Sequence, residues 1–306
     1  MQKEYLKLQS DFDGLELDVF IIEPNDPELK GVIQISHGMC ETKERYTEFM
    51  EYMAQKGYAS IIHDHRGHGS SVKEKSHLGY MYGGGAEALV EDLHQITMQA
   101  KDRWPQAPFI LLGHSMGSLI ARTYLKKYDA ELQALILSGS PSKNRALPVG
   151  KCVDRVQKLI CGSMHPSKFL ESAVFGSYEA KYAEEKSRFA WHCSDPKVVE
   201  EYDSAPECGF TFTVDGYHAL FELMGETYNS KGWACKKPKL PILFIGGSED
   251  PCIGGPRKLK KTINHLRMQG YCNIRGKLYP GMRHEILMET MKYDVYADIV
   301  KYLSKV

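Results

Sequence analysis

Two periodicities alternate along this chain. Residues 15–22 alternate and then turn apolar before Pro24. With residues 5–8 they predict an early antiparallel pair of strands. Asn25-Asp26-Pro27 marks a turn. Residues 31–36, 59–62, 109–112, 134–137 and 240–245 are short and nearly all apolar. Such runs are expected of strands buried on both faces. One further strand is expected over 273–279. Between these runs the period changes to that of a helix. Residues 46–56 carry apolar side chains at 46, 49, 50 and 53 and stop at Gly57. The stretch 86–103 lines up Leu89, Leu93 and Ile96, and further helices are expected over 116–127, 256–269 and 290–303. This alternation predicts an α/β protein with a mostly parallel, doubly wound sheet covered on both faces.

The alternation breaks between Pro141 and Pro238, where helical pieces appear without a clear buried strand. Val149, Val153, Val156 and Ile160 keep helical spacing, as do Tyr217, Leu220, Phe221 and Met224. Both stripes are expected to pack within the segment. The chain therefore divides into a core, 1–140 and 239–306, and an inserted, mainly helical lid, 141–238.

Candidate chemistry centres on Gly113-His114-Ser115-Met116-Gly117, between an apolar run and a helix start. In that context G-x-S-x-G is a turn that exposes one hydroxyl. A serine hydroxyl needs a base, and the base needs an acid to hold its tautomer. Two downstream loops after predicted strands supply them. Asp250 is preferred over its neighbour Glu249 as the acid. His284 is preferred as the base over His265, which is expected to face solvent from within a helix. An oxyanion requires N–H donors. The backbone of Met116 and that of Met39, in the loop His37-Gly38-Met39, are the candidates. His63, His65 and His68 tempt a metal reading, but Gly67 stands where a metallo-hydrolase pattern needs Asp. These histidines are expected to be structural, with Asp64 and Arg66 bracing the turn, and no metal or other cofactor is called for.

Composition narrows the function classes. The 39 basic and 39 acidic residues balance, so net charge gives no reason to expect nucleic acid. The run Lys258-Leu259-Lys260-Lys261 is read as the solvated face of a helix. The eight cysteines form no C-x-x-C pair, and charges interrupt the first residues where a signal peptide would be apolar. Reduced thiols in a cytoplasmic protein are expected. No stretch approaches the ~18 apolar residues of a membrane-spanning helix, although contact of the lid with a membrane surface stays open, as does the oligomeric state.

With these residues assembled, the chain resembles the α/β-hydrolase superfamily over nearly its whole length. Within it, the chain is similar to the group of serine aminopeptidases and monoacylglycerol lipases/lysophospholipases. The resemblance is strongest at 37–46, 63–70 and 113–117, and in the loops of Asp250 and His284. It implies Ser115, Asp250 and His284 as the catalytic set and the backbones of Met39 and Met116 as the oxyanion hole. It further implies hydrolysis of a small acyl ester such as a monoacylglycerol or lysophospholipid. Gly38, Glu41, Phe212, Tyr217 and Phe221 are the substrate-binding candidates, the aromatic ones lining an acyl tunnel or forming the lid's own core. Monoacylglycerol lipases carry a small residue and a histidine on either side of the first-loop glutamate, where this chain has Cys40 and Thr42. That leaves recognition of a glycerol head group open. The alternatives are an aminopeptidase, with Glu184-Glu185 or Glu200-Glu201 as candidate amine ligands, and a non-catalytic receptor.

Overall fold

The computed structural model describes residues 1–26 and 28–306, so Pro27 of the expected turn lies outside the described residues. Eight strands form one sheet in the order β1-β2-β4-β3-β5-β6-β7-β8. They are β1 (Gln2–Gln9), β2 (Glu16–Glu23), β3 (Gly31–Ser36), β4 (Tyr58–His63), β5 (Phe109–His114), β6 (Ala134–Ser138), β7 (Ile242–Gly247) and β8 (Ile274–Tyr279). β2 runs antiparallel to both β1 and β4, and all pairs from β4 onward are parallel.

The apolar runs are explained by two cores, one on each face of the sheet. Ile110 and Leu112 point to one, where they meet Phe49 and Met53 of α1 (Thr47–Gln55) and Tyr296 and Ile299 of α9 (Lys292–Leu303). Leu111 points to the other, with Leu93 of α2 (Gly85–Arg103), Ile120 of α3 (Met116–Tyr128) and Leu266 of α8 (Pro256–Met268). A strand covered on both sides leaves no solvated position, hence the nearly unbroken hydrophobicity.

Four helices occupy the segment between β6 and β7: α4 (Leu147–Cys161), α5 (Lys168–Ala180), α6 (Pro196–Ser204) and α7 (Val214–Tyr228). The last is bolted to the core. Asp215 accepts hydrogen bonds from the N–H groups of Met81 and Gly83, both at 3.0 Å. At its other end, Thr227 donates to the Leu119 carbonyl at 3.1 Å. The stripe on α4 departs from expectation: Val149, Val156 and Ile160 face solvent, and only Val153 is partly buried. α4 instead turns Gly150 toward Phe221 and buries Asp154, whose Oδ2 lies 2.6 Å from His218 Nδ1.

Candidate active site

β5 delivers the chain to a sharp turn at Ser115, with φ 49° and ψ −115°. A non-glycine residue pays roughly 1–3 kcal/mol for such a conformation. Here the turn is held by its surroundings: the Ser115 N–H donates to the Ser138 carbonyl at 3.0 Å. The flanking glycines are required by contact. A Cβ on Gly113 would stand 2.5 Å from the Gly117 carbonyl oxygen, and one on Gly117 would collide with the Ser36 carbonyl.

The two downstream loops converge on this hydroxyl. His284 Nε2 lies 2.8 Å from Ser115 Oγ, and His284 Nδ1 lies 3.0 Å from Asp250 Oδ2. The second Asp250 oxygen accepts from the Cys252 N–H at 2.8 Å, which fixes the carboxylate. Both His284 and Asp250 are buried. Burial alone would lower the His284 pKa, but the Asp250 carboxylate and its hydrogen bond outweigh it and raise the pKa. Glu249, the rival acid, is half-exposed and ion-paired to Lys181 at 3.0 Å.

The placing of the two candidate oxyanion donors follows from peptide geometry. His37 Nδ1 lies 2.8 Å from the Gly38 carbonyl oxygen, while its Nε2 accepts the His65 N–H at 2.9 Å. His37 is therefore the neutral Nδ1–H tautomer, in keeping with burial, which lowers its pKa. In a trans peptide C=O and N–H point oppositely, so tying back the Gly38 carbonyl turns the Met39 N–H away from His37. The Met116 N–H begins α3 and has no intrahelical acceptor. Among the described residues neither N–H donates a hydrogen bond. Both residues line the same cavity as Ser115.

Beside the site lies a buried ionic cluster. Gly38 donates its N–H to Glu41, which also accepts from Tyr46 at 2.9 Å. Arg45 binds Glu41 at 2.7 Å and clasps both oxygens of Glu285, each at 2.7 Å. Glu285 follows His284 in sequence, and its N–H donates to the His192 carbonyl at 2.7 Å. Arg283, on the other flank, donates to the Ala190 carbonyl at 2.5 Å. His284 is thus held between two residues that grip the segment between β6 and β7. Burial would raise the Glu285 pKa, yet Arg45 and then His192 hold it well below the usual carboxylate range. Replacing Arg45 with Met leaves two buried carboxylates without their cation. That is expected to cost about 3–5 kcal/mol, read as a lower thermal midpoint, and a second change, Glu285→Gln, is expected to recover part of the loss.

The cavity above Ser115 is roofed by the insertion, including Phe175, Tyr178, Trp191, Phe210, Leu220 and Met224. This separates the aromatic candidates. Gly38 and Glu41 line the cavity, as do Phe210, Leu220 and Met224, whereas Phe212, Tyr217 and Phe221 do not. Those three are buried: Phe212 lies against Gly79 of the core, and Phe221 packs on Gly150 of α4 within the insertion. The α7 stripe has more than one face: Leu220 and Met224 meet the cavity, while other faces of the helix pack on α2, α3 and α4. Sequence reasoning missed Trp191, whose ring centroid is 5.0 Å from that of His284, and Tyr178, because no periodicity marks either of them. It also missed His114, next to Ser115 in the motif, whose ring lies 4.8 Å from that of His284. Burial, then the His284 charge, holds His114 neutral with a pKa of about 3.

Glu184-Glu185 and Glu200-Glu201 do not line the cavity. Glu185 instead pairs with Arg283, and the carboxylates of the insertion that reach the cavity are Glu171 and Glu179. His265 is not solvent-facing: it is half-buried, with Nε2 3.1 Å from the Thr227 carbonyl oxygen. The histidine run is buried and its side chains form no cluster of converging ligand atoms, although both His63 nitrogens, His65 Nδ1 and His68 Nε2 have no hydrogen-bond partner among the described residues. His65 Nε2 meets Ser36 Oγ at 3.0 Å, and His68 Nδ1 meets the Arg66 carbonyl at 3.1 Å. Arg66 is fully buried and ion-paired to Asp92 and Asp13, both at 2.8 Å. Among the described residues, the one trio with converging ligand atoms is Asp250, Cys252 and His284. There His284 Nδ1 is already engaged by Asp250, and burial keeps the Cys252 thiol protonated.

The chain is similar to known proteins in sequence and in fold. A monoacylglycerol lipase from Mycolicibacterium smegmatis is 27% identical over 287 residues, covering 93% of this chain and 92% of that protein. A monoglyceride lipase from Rattus norvegicus is 35% identical over 108 residues, 35% of this chain and 34% of its own. Among solved structures, a thermostable carboxyl esterase from Bacillus coagulans, in complex with glycerol, superposes with a TM-score of 0.91 at 25% identity, covering 100% of this chain and 99% of that one. The sequence profile of the serine aminopeptidase family S33 matches residues 27–291. A match of that extent, on a sheet with its strand–turn–helix at Ser115, makes the chain a member of the serine aminopeptidase family S33, built on the α/β-hydrolase fold.

Proposed function

We propose that the chain is a serine hydrolase of small carboxylic esters, with monoacylglycerols and lysophospholipids as the substrate class. The observation that carries this reading is the hydrogen-bonded line from Ser115 Oγ through His284 to Asp250 at the floor of a largely apolar cavity. Ser115 Oγ attacks the ester carbonyl as His284 Nε2 takes its proton. The N–H groups of Met39 and Met116 hold the oxyanion, and the Asp250 carboxylate stabilises the imidazolium. His284 returns the proton to the leaving alcohol. Water, activated by the same nitrogen, then releases the acid and restores Ser115. The names and extents of the relatives support the ester class. The test is turnover of a panel of p-nitrophenyl esters, monoacylglycerols, a lysophospholipid and aminoacyl-anilides. Cleavage of the anilides alone would replace this reading with an aminopeptidase.

In this reading residues 141–238 form a lid, and Leu220 and Met224 meet the acyl chain. Met224→Ala is expected to move the preferred chain length upward with little change in stability. Phe221→Ala is expected to leave chain-length preference unchanged and cost about 3–5 kcal/mol, as for other buried aromatics. Rates over an ester series and thermal melts separate the two. The outer face of α4, with Leu159 87% and Ile160 77% exposed beside Lys151, Arg155 and Lys158, suits contact with an anionic membrane surface. Among the described residues no helix is long and apolar enough to cross a membrane. All eight cysteines are free thiols, which accords with a cytoplasmic location.

A further inference from the structure

The lysines of the basic run on α8 are exposed, as expected, and two of them border a cleft. Lys258 and Lys261 line one side of a cleft of about 1050 Å³, and Lys143 and Arg145, on the approach to α4, line it from the insertion. No Asp or Glu is among its lining residues. All four cationic side chains are exposed, and among the described residues none forms a salt bridge, although most lysines elsewhere in the core do. His265 stands on the same wall. Its burial, and then the nearby Arg122 and Lys143 charges, push its pKa down to about 4. The cleft also shares a wall with the catalytic cavity, made of Ser142, Asn144, Val174, Tyr178 and Cys252. Cys252 is the residue whose N–H holds the acid Asp250.

A one-signed, unpaired set of cations beside an ester-cleaving centre has no use for a neutral alcohol. We propose that this cleft is an anion subsite that takes the phosphate of a phosphorylated leaving alcohol, so that a lysophospholipid with an exposed phosphate is cleaved in preference to the neutral monoacylglycerol. The proposal rests on the ester-hydrolase reading. A phosphate placed there interacts with Lys143, Arg145, Lys258 and Lys261 together. Exposed pairs are individually weak, so several acting at once are expected to give a preference of about tenfold.

The test compares monobutyrin with its phosphate monoester, two soluble esters of the same acyl group. The wild-type protein is expected to show a kcat/KM about tenfold higher for the phosphate ester at low salt, shrinking as screening tightens at about 0.5 M NaCl. Lys258→Glu/Lys261→Glu is expected to abolish the preference while monobutyrin turnover stays within about twofold, and Lys143→Glu, on the opposite wall, to weaken it in the same sense. Glycerophosphate is expected to inhibit better than glycerol or inorganic phosphate. Parallel changes for the two esters, no preference in the wild type, or inorganic phosphate inhibiting as well as glycerophosphate would each overturn the proposal. If the wild type cleaves neither ester, the hydrolase reading fails separately, and calorimetric titration with glycerophosphate decides. Binding that disappears in the double variant supports the subsite, and no binding to the wild type overturns it.

Discussion

Ser115→Ala is expected to lower ester turnover by about 10⁶-fold, to the level left by binding and the oxyanion donors alone. The size of the loss follows from how the groups act together. Without Oγ, His284 has no proton to accept from the nucleophile, and the N–H groups of Met39 and Met116 face an oxyanion that no longer forms on an acyl-enzyme path. The fold should survive, because Ser115 sits at the cavity floor and its turn is held by the backbone bond to Ser138 and by close contacts at Gly113 and Gly117. Relief of strain is not expected, since alanine inherits the same positive φ of 49°. A full loss of rate with an unchanged thermal midpoint is the signature. Comparable loss of structure would instead mean that Ser115 serves the turn and not the chemistry.

Asp250→Asn is expected to cost about 10⁴-fold in kcat, because an amide cannot stabilise the imidazolium and favours the wrong tautomer. It also changes the pH profile in a definite direction. The wild-type base works only when His284 is neutral, so activity rises with pH as the imidazolium loses its proton. The Asp250 carboxylate raises that pKa against the opposing effect of burial, placing the limb above the ordinary histidine value of about 6.5. Removing the negative charge leaves burial as the main influence, so the residual activity should rise at lower pH than in the wild type. A limb that stays in place in the variant would show that another group titrates there.

What was legible in the sequence and what was not divide along physical lines. The central strands were visible because both faces are buried, so Phe109 to Leu112 offers no polar position to confuse the pattern. Ser115, Asp250 and His284 were visible because strand ends in a doubly wound sheet meet at one edge, and each loop follows an apolar run. Residues 141–238 were legible as helical, but the packing of those helices was not. A helix packed on one side by a few small or polar residues, as α4 is by Gly150 and Asp154, leaves its apolar stripe outside, and periodicity alone cannot say which way a stripe faces. The same ambiguity hid the split between Met224, in the cavity wall, and Phe221, buried against Gly150 of α4. His265 was misjudged because its partner, the Thr227 carbonyl, belongs to an element 38 residues away. Arg45 and Glu285 lie 240 positions apart, and nothing in either local sequence announces their pairing.

The central claim is that Ser115 carries the acyl group during turnover. It is tested most directly by labelling the protein with a fluorophosphonate, which captures an activated serine, and locating the adduct by peptide mass spectrometry. The account predicts one adduct, on the peptide containing Ser115, absent from Ser115→Ala and slowed by a competing monoacylglycerol. A folded protein that stays unlabelled, or one labelled at another serine with Ser115 untouched, would contradict it.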